Sequence, residues 1–137
     1  MSVAATPAGL DQRLLRSALG SFATGVIIVT AAYEGGEHGM TANSFTSVSL
    51  SPPLVLFCTH NNARMTRLIE RGTELGLSVL ARDQANVSSH FAGKPQGGLE
   101  VAFSWWRGVP VIAGATAHFI CRMLDSRIAG EIGRAHV

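Results

Sequence analysis

Apolar positions along the chain change their period several times, and each change marks an element. Leu10, Leu14, Leu15, Ala18 and Leu19 recur at helical spacing, with Asp11, Gln12, Arg13 and Arg16 between them. This predicts a short helix from Leu10 to Leu19 with Gly20 as its stop. The run from Gly25 through Val26, Ile27, Ile28, Val29 and Thr30 to Ala31 is β-branched and does not alternate, which predicts a strand buried on both faces. Tyr33 to His38 reads as the turn after it. His38 to Leu50 has no helical period and is stopped by Ser51-Pro52-Pro53, after which Leu54 to Thr59 is a second apolar strand. Ala63 to Glu70 reads as a helix with Asn62 as its cap, since an Asn side chain can accept from a free amide hydrogen there. Leu75 to Ala81 is predicted as a strand, Asp83 to Phe91 as a helix capped by Asp83, and Gly97 to Arg107 as a loop holding Phe103, Trp105 and Trp106. A turn into a strand over 108–112 and a further strand over 115–124 complete the pattern.

Helices do not regularly separate the strands, so a doubly wound parallel sheet is disfavoured. A mostly β fold, an antiparallel barrel with short flanking helices, fits the order better. At 137 residues the chain is sized for one domain. Its 47% hydrophobic and 15% charged residues argue for a packed core and for some apolar surface covered by a partner, a second copy being one candidate. Basic residues are scattered and the net charge is +2, so nucleic acid is not an expected partner. No apolar run reaches membrane-spanning length, and the start has no signal-peptide pattern. Two cysteines are too few for a disulfide framework, and a cytoplasmic location is expected.

The segment GMTANSFTSVSLSPPLVLFC, residues 39–58, concentrates short hydroxyl and amide side chains between two apolar strands. By composition it is an edge strand with a polar face. The order of its residues adds more. Thr24-Gly25-Val26, then Gly39 to Pro53, then an apolar strand ending in Cys58, then Phe91-Ala92 and the strand bearing Cys121 resemble, over about Leu15 to Gly130, the flavin reductase-like family. The resemblance implies the antiparallel FMN-binding split β-barrel and a flavin:NAD(P)H reductase. FMN or FAD would be the flavin and NADH or NADPH the donor, with the reduced flavin supplied to a separate monooxygenase. A homodimer is implied as well. A non-catalytic FMN-binding or electron-carrier module on the same barrel is the alternative, because a fold does not decide function.

The family's flavin lies against the strand matching Met40 to Ser49, where bulky side chains would block the ring. The resemblance thus carries Met40, Thr41, Ala42, Asn43 and Ser44 over as ring and ribityl contacts. Ser47, Val48 and Ser49 are carried over as backbone contacts, and Cys58 completes that side of the site. Backbone amides there would stabilise the charge of reduced flavin. The phosphate is assigned to Asn62, Ala63 and Arg64 after the second apolar strand; the family's usual Ser or Thr is missing from that loop. Phe91 is assigned to the ring and Lys94 to the phosphate. No catalytic acid or base is assigned, since hydride passes directly between the cofactors. No G-x-G-x-x-G follows a strand, so the nicotinamide is expected to stack in the open flavin cleft.

Cys58-Thr-His60 and His118-Phe-Ile-Cys121 match no common zinc spacing, so no metal site is assigned. Residues 1–9 are expected to be a mobile tail and 10–130 the domain. Glu131 to Val137, EIGRAHV, resembles the translation of a widely used sequencing adapter and is expected to be a non-native tail. His136 is therefore not carried over as the family histidine, and a barrel edge is expected to be left without its strand.

Overall fold

The structure is a computed structural model that describes residues 9–60, 63–130 and, as a strand, 132–136. The elements run α1 (Gln12–Gly20), β1 (Ile27–Tyr33), β2 (Gly36–Ala42), β3 (Thr46–Leu50), β4 (Pro53–His60), α2 (Arg64–Leu68), β5 (Glu74–Val79), α3 (Ala85–Phe91), β6 (Phe103–Trp106), β7 (Val109–Ile112), β8 (Ala117–Arg122), β9 (Ser126–Ala129) and β10 (Ile132–His136). Every strand pairing is antiparallel. One sheet has the order β2-β1-β5-β8, a second β3-β4-β10-β9, and β6-β7 form a separate hairpin. The mostly β, antiparallel architecture expected from the sequence is the one observed. No described helix is long and apolar enough to cross a membrane.

β1 anchors the first sheet. Ile27 to Ala31 are buried without a break, as a non-alternating strand with both faces covered must be. One face carries Ile27, Val29 and Ala31 into a core with Phe57, Met65, Ile69, Leu75, Leu77 and Met123. The other carries Ile28 against Val87 and Ile112, with Phe91 and Phe103 packed beside them. Each buried aliphatic side chain contributes about 1.5–3 kcal/mol to this packing. On the second face β7 crosses β1 and β5 closely. Thr30 Oγ1 donates to Pro110 O, and the Ile112 amide donates to Ser78 Oγ at 2.9 Å. A Cβ on Gly76 would overlap Pro110 O and stand 2.7 Å from Thr30 Oγ1, so this crossing requires glycine.

The β1–β2 turn is tighter than Tyr33 to His38. Only Glu34 and Gly35 lie outside the ladder, both at positive φ (47° and 77°), the geometry of a two-residue hairpin. The polar stretch after it is two strands, β2 and β3, joined by Asn43-Ser44-Phe45.

Two helix caps differ from expectation. The residue at the start of α2 is Ala63, without a side-chain bond, and the helix ends at Leu68; Asn62 lies outside the described residues. α2 is held instead by buried Met65 and by Thr66, whose hydroxyl lies 2.7 Å from Thr59 Oγ1 and donates to His60 O at 2.6 Å. α3 starts after Gln84, not Asp83. Gln84 is long enough to accept from the Ala81 amide at 2.8 Å and to donate to Ala113 O at 3.0 Å, which ties the helix start to both neighbouring segments. Asp11, by contrast, caps α1 directly, accepting from the Arg13 amide at 2.8 Å. β9 and β10 were not foreseen. Residues 132–136 pair with both β4 and β9, with register shifts along each, so the edge expected to lack a strand has one.

Candidate functional site

β2 and β3 are each the outer strand of their sheet, and they are consecutive in the chain. Asn43-Ser44-Phe45 carries the backbone from one sheet edge to the next, so the barrel is split along this line. An outer strand has a row of N–H and C=O groups that no neighbour pairs. Residues 40–49, singled out by the sequence, therefore supply two adjacent rows of backbone donors and acceptors flanked by short side chains. A planar, hydrogen-bonding ring fits such an edge.

Strand alternation divides these residues. His38, Met40 and Ala42 lie opposite Ala31, Val29 and Ile27, on the face that meets α2; Met40 and Ala42 pack on that core. Gly39 and Thr41 face α3. Thr41 Oγ1 donates to Ser88 O at 2.7 Å, and a Cβ on Gly39 would sit 2.7 Å from the Phe91 ring. Glycine at 39 thus lets the Phe91 ring approach the β2 backbone closely, and the same ring meets Phe103 edge-on at 6.4 Å. Side chains of Met40 and Thr41 consequently point away from each other, and a single ring meets both only through the backbone between them.

The hydroxyl of Ser44 is likewise engaged. It accepts from the Cys58 amide at 2.9 Å and lies 3.2 Å from Cys58 O. This clamps the β2–β3 connection onto β4, and Cys58 takes part through its backbone. Asn43 is exposed with no side-chain bond among the described residues; Ser47 and Val48 are exposed and Ser49 is half-buried. A bulge in the β3–β4 ladder falls between Ser47 and Ser49 and turns this stretch of edge outward.

At the other end of β2, Arg64 enters from α2 and stacks over the Tyr33 ring, 4.9 Å from its centroid. His38 lies close by, its pKa lowered first by burial and then by the Arg64 charge. Ala63 is half-buried beside them. Lys94 stands exposed in the turn after α3, the helix on the opposite face of β2, with its amide donating to Ser89 O at 3.1 Å. Tyr33, His38, Gly39 and Thr66 were not among the expected site residues. Two of them had a signal in the sequence: a glycine inside a strand marks a close approach, and Tyr33 is in phase with Ile27, Val29 and Ala31.

A separate cleft of about 690 Å³ opens between β3–β4 and β8, lined by Phe45, Leu50, Leu54, Phe119, Ile120 and Leu124 among others. Of the expected site residues only Ser47 and Ser49 reach it, and its walls are mainly apolar. It has the size of a cofactor site but few of the polar groups that orient one. The split edge is therefore the better candidate for a flavin, and the cleft is an apolar surface beside it.

Comparison with known proteins agrees with this geometry. A family model described as flavin reductase like domain matches residues 19–134. An NADH-dependent flavin reductase of a Rhodococcus species is 52% identical over 121 residues, 85% of this chain and 68% of that protein. The reductase subunit of a flavin-dependent monooxygenase of Mycobacterium tuberculosis is 34% identical over 128 residues, 90% of this chain and 67% of that one. The structure of the flavin reductase PheA2 superposes with a TM-score of 0.86 at 38% identity, covering 93% of this chain and 82% of that one. With its split edge between β2 and β3 and these relatives along nearly all its length, the chain belongs to the flavin reductase-like family.

Proposed function

We propose that the chain is a flavin reductase that transfers hydride from NADH to FMN or FAD and supplies the reduced flavin to a separate monooxygenase. The observation that carries this is the pair of consecutive outer strands, β2 and β3, offering free backbone groups next to small residues. When bound, the flavin supplies the two-electron chemistry, and the residues supply position. Backbone amides between Met40 and Ser49 meet the ring and favour its reduced, negatively charged form. The bonds from Thr41 to Ser88 and between Ser44 and Cys58 hold those amides in place, so little reorganisation is needed when the ring arrives. Arg64 meets the phosphate. Phe91, seated on Gly39, closes the α3 side.

The active form is a homodimer. α1 places Leu14 and Leu19 at 70% and 66% exposure and buries no residue of its own. A nine-residue helix is too short to persist in water without packing. The exposed helix and the apolar cleft each favour cover by a second copy. Two free cysteines, Cys58 and Cys121, fit a cytoplasmic location. The test is steady-state: NADH consumption should require added FMN or FAD and saturate with each. NADH consumption that is indifferent to flavin, or no consumption at all, would remove the proposal, and tight FMN binding without turnover would favour a carrier.

A further inference from the structure

Tyr33 ends β1 on the face that carries Ile27, Val29 and Ala31, and this face meets α2. Its cross-strand partner is Gly36, which has no side chain to fill the space opposite the ring. A Cβ there would meet nothing nearer than Tyr33 O at 3.8 Å. Arg64 lies over the ring, with its guanidinium carbon 4.9 Å from the ring centroid. Among the described residues Arg64 forms no ion pair; the two present join Arg122 to Glu74 and Arg127 to Asp125. A guanidinium fixed on an aromatic face without a carboxylate keeps its N–H donors free for an outside anion. His38, on the same face of β2, adds a second group that becomes cationic on protonation. His38 is two residues, about 7 Å of strand, from Met40. The ribityl arm that joins a flavin ring to its phosphate spans a similar distance.

We propose that Tyr33 is a positioning residue whose ring holds Arg64 at the β1–β2 hairpin, so that the site selects flavins bearing a phosphate over riboflavin. The inference rests on the flavin-reductase reading and adds to it a determinant of ligand choice. An unstacked arginine would still bear its charge, but its side chain would sample many rotamers and lose order on binding each ligand.

The test is titration of the full chain with FMN and with riboflavin, read as the ratio of the two affinities. Tyr33→Leu is expected to lower the ratio about threefold, Tyr33→Phe to keep it, and Arg64→Ala to lower it about tenfold. Arg64→Lys keeps the charge without the planar stack and is expected to fall with Tyr33→Leu; it leaves the tyrosine intact should Tyr33→Leu fail to fold. A ratio that falls in Arg64→Ala but not in Tyr33→Leu or Arg64→Lys overturns the positioning role. A ratio unmoved in Arg64→Ala overturns the phosphate contact, while flavin reduction by the wild-type chain still stands. Absence of any flavin binding by the wild type overturns the reductase reading itself.

Discussion

β1 and α1 both carry apolar side chains, and these meet opposite fates. Ile28 and Val29 of β1 are fully buried, whereas no residue of α1 is. β1 lies at the centre of a sheet whose two faces are covered by β7 and α3 on one side and by α2 and β4 on the other. Among the described residues nothing buries any residue of α1. In the candidate site β2 is tied to the closed interior and β3 borders the open apolar cleft. Rigidity for the candidate edge thus comes from the interior, and access comes from the cleft side.

Substitutions should separate the two regions by size of effect. Gly76→Ala drives a methyl into Pro110 O at the β5–β7 crossing and is expected to cost about 3 kcal/mol or to prevent folding; a denaturation midpoint near wild type would show that the crossing yields. Gly39→Ala displaces the Phe91 ring, a side chain that can shift, at about 1–2 kcal/mol. It is also expected to weaken FMN binding, so unchanged affinity would detach Phe91 from the site. Thr41→Val leaves Ser88 O without its donor at about 1 kcal/mol, visible as faster amide exchange in α3. His38 has a lowered pKa in the fold, so the unfolded chain binds its proton more readily. Its contribution to stability is therefore present above the ordinary value of 6.5 and lost as pH falls below it, and His38→Gln should flatten that part of a stability–pH profile. Leu14→Ser comes last, at about 0.5 kcal/mol or less within the chain, yet sedimentation should shift from two chains to one. A two-chain mass in that variant would break the comparison.

The sequence made the closed region legible and the open one less so. An unbroken β-branched run such as Ile27 to Val29 admits few structures other than a central strand. The family motif over 39–58 pointed to the stretch that forms the two outer strands β2 and β3. It could not show that Thr41 and Ser44 spend their hydroxyls on Ser88 and Cys58, because residue type gives capacity to bond and not the partner. The helix caps were misjudged for a similar reason. Asp83 is a favourable cap by propensity, but Gln84 reaches two segments at once, and tertiary bonds outweigh a local preference. The Tyr33–Arg64 stack joins β1 to α2, residues far apart in the chain, which no local pattern announces. β9 and β10 escaped because their apolar pattern is weak and because β10, which holds β9, pairs with β4 far back in the chain.

The most direct measurement is an anaerobic single turnover with FMN bound to the full chain and NADH deuterated at the transferred position. Direct hydride transfer along the β2–β3 edge predicts bleaching of the flavin absorbance that is slower with deuterated than with ordinary NADH. FMN that binds but stays oxidised in excess NADH would contradict the account.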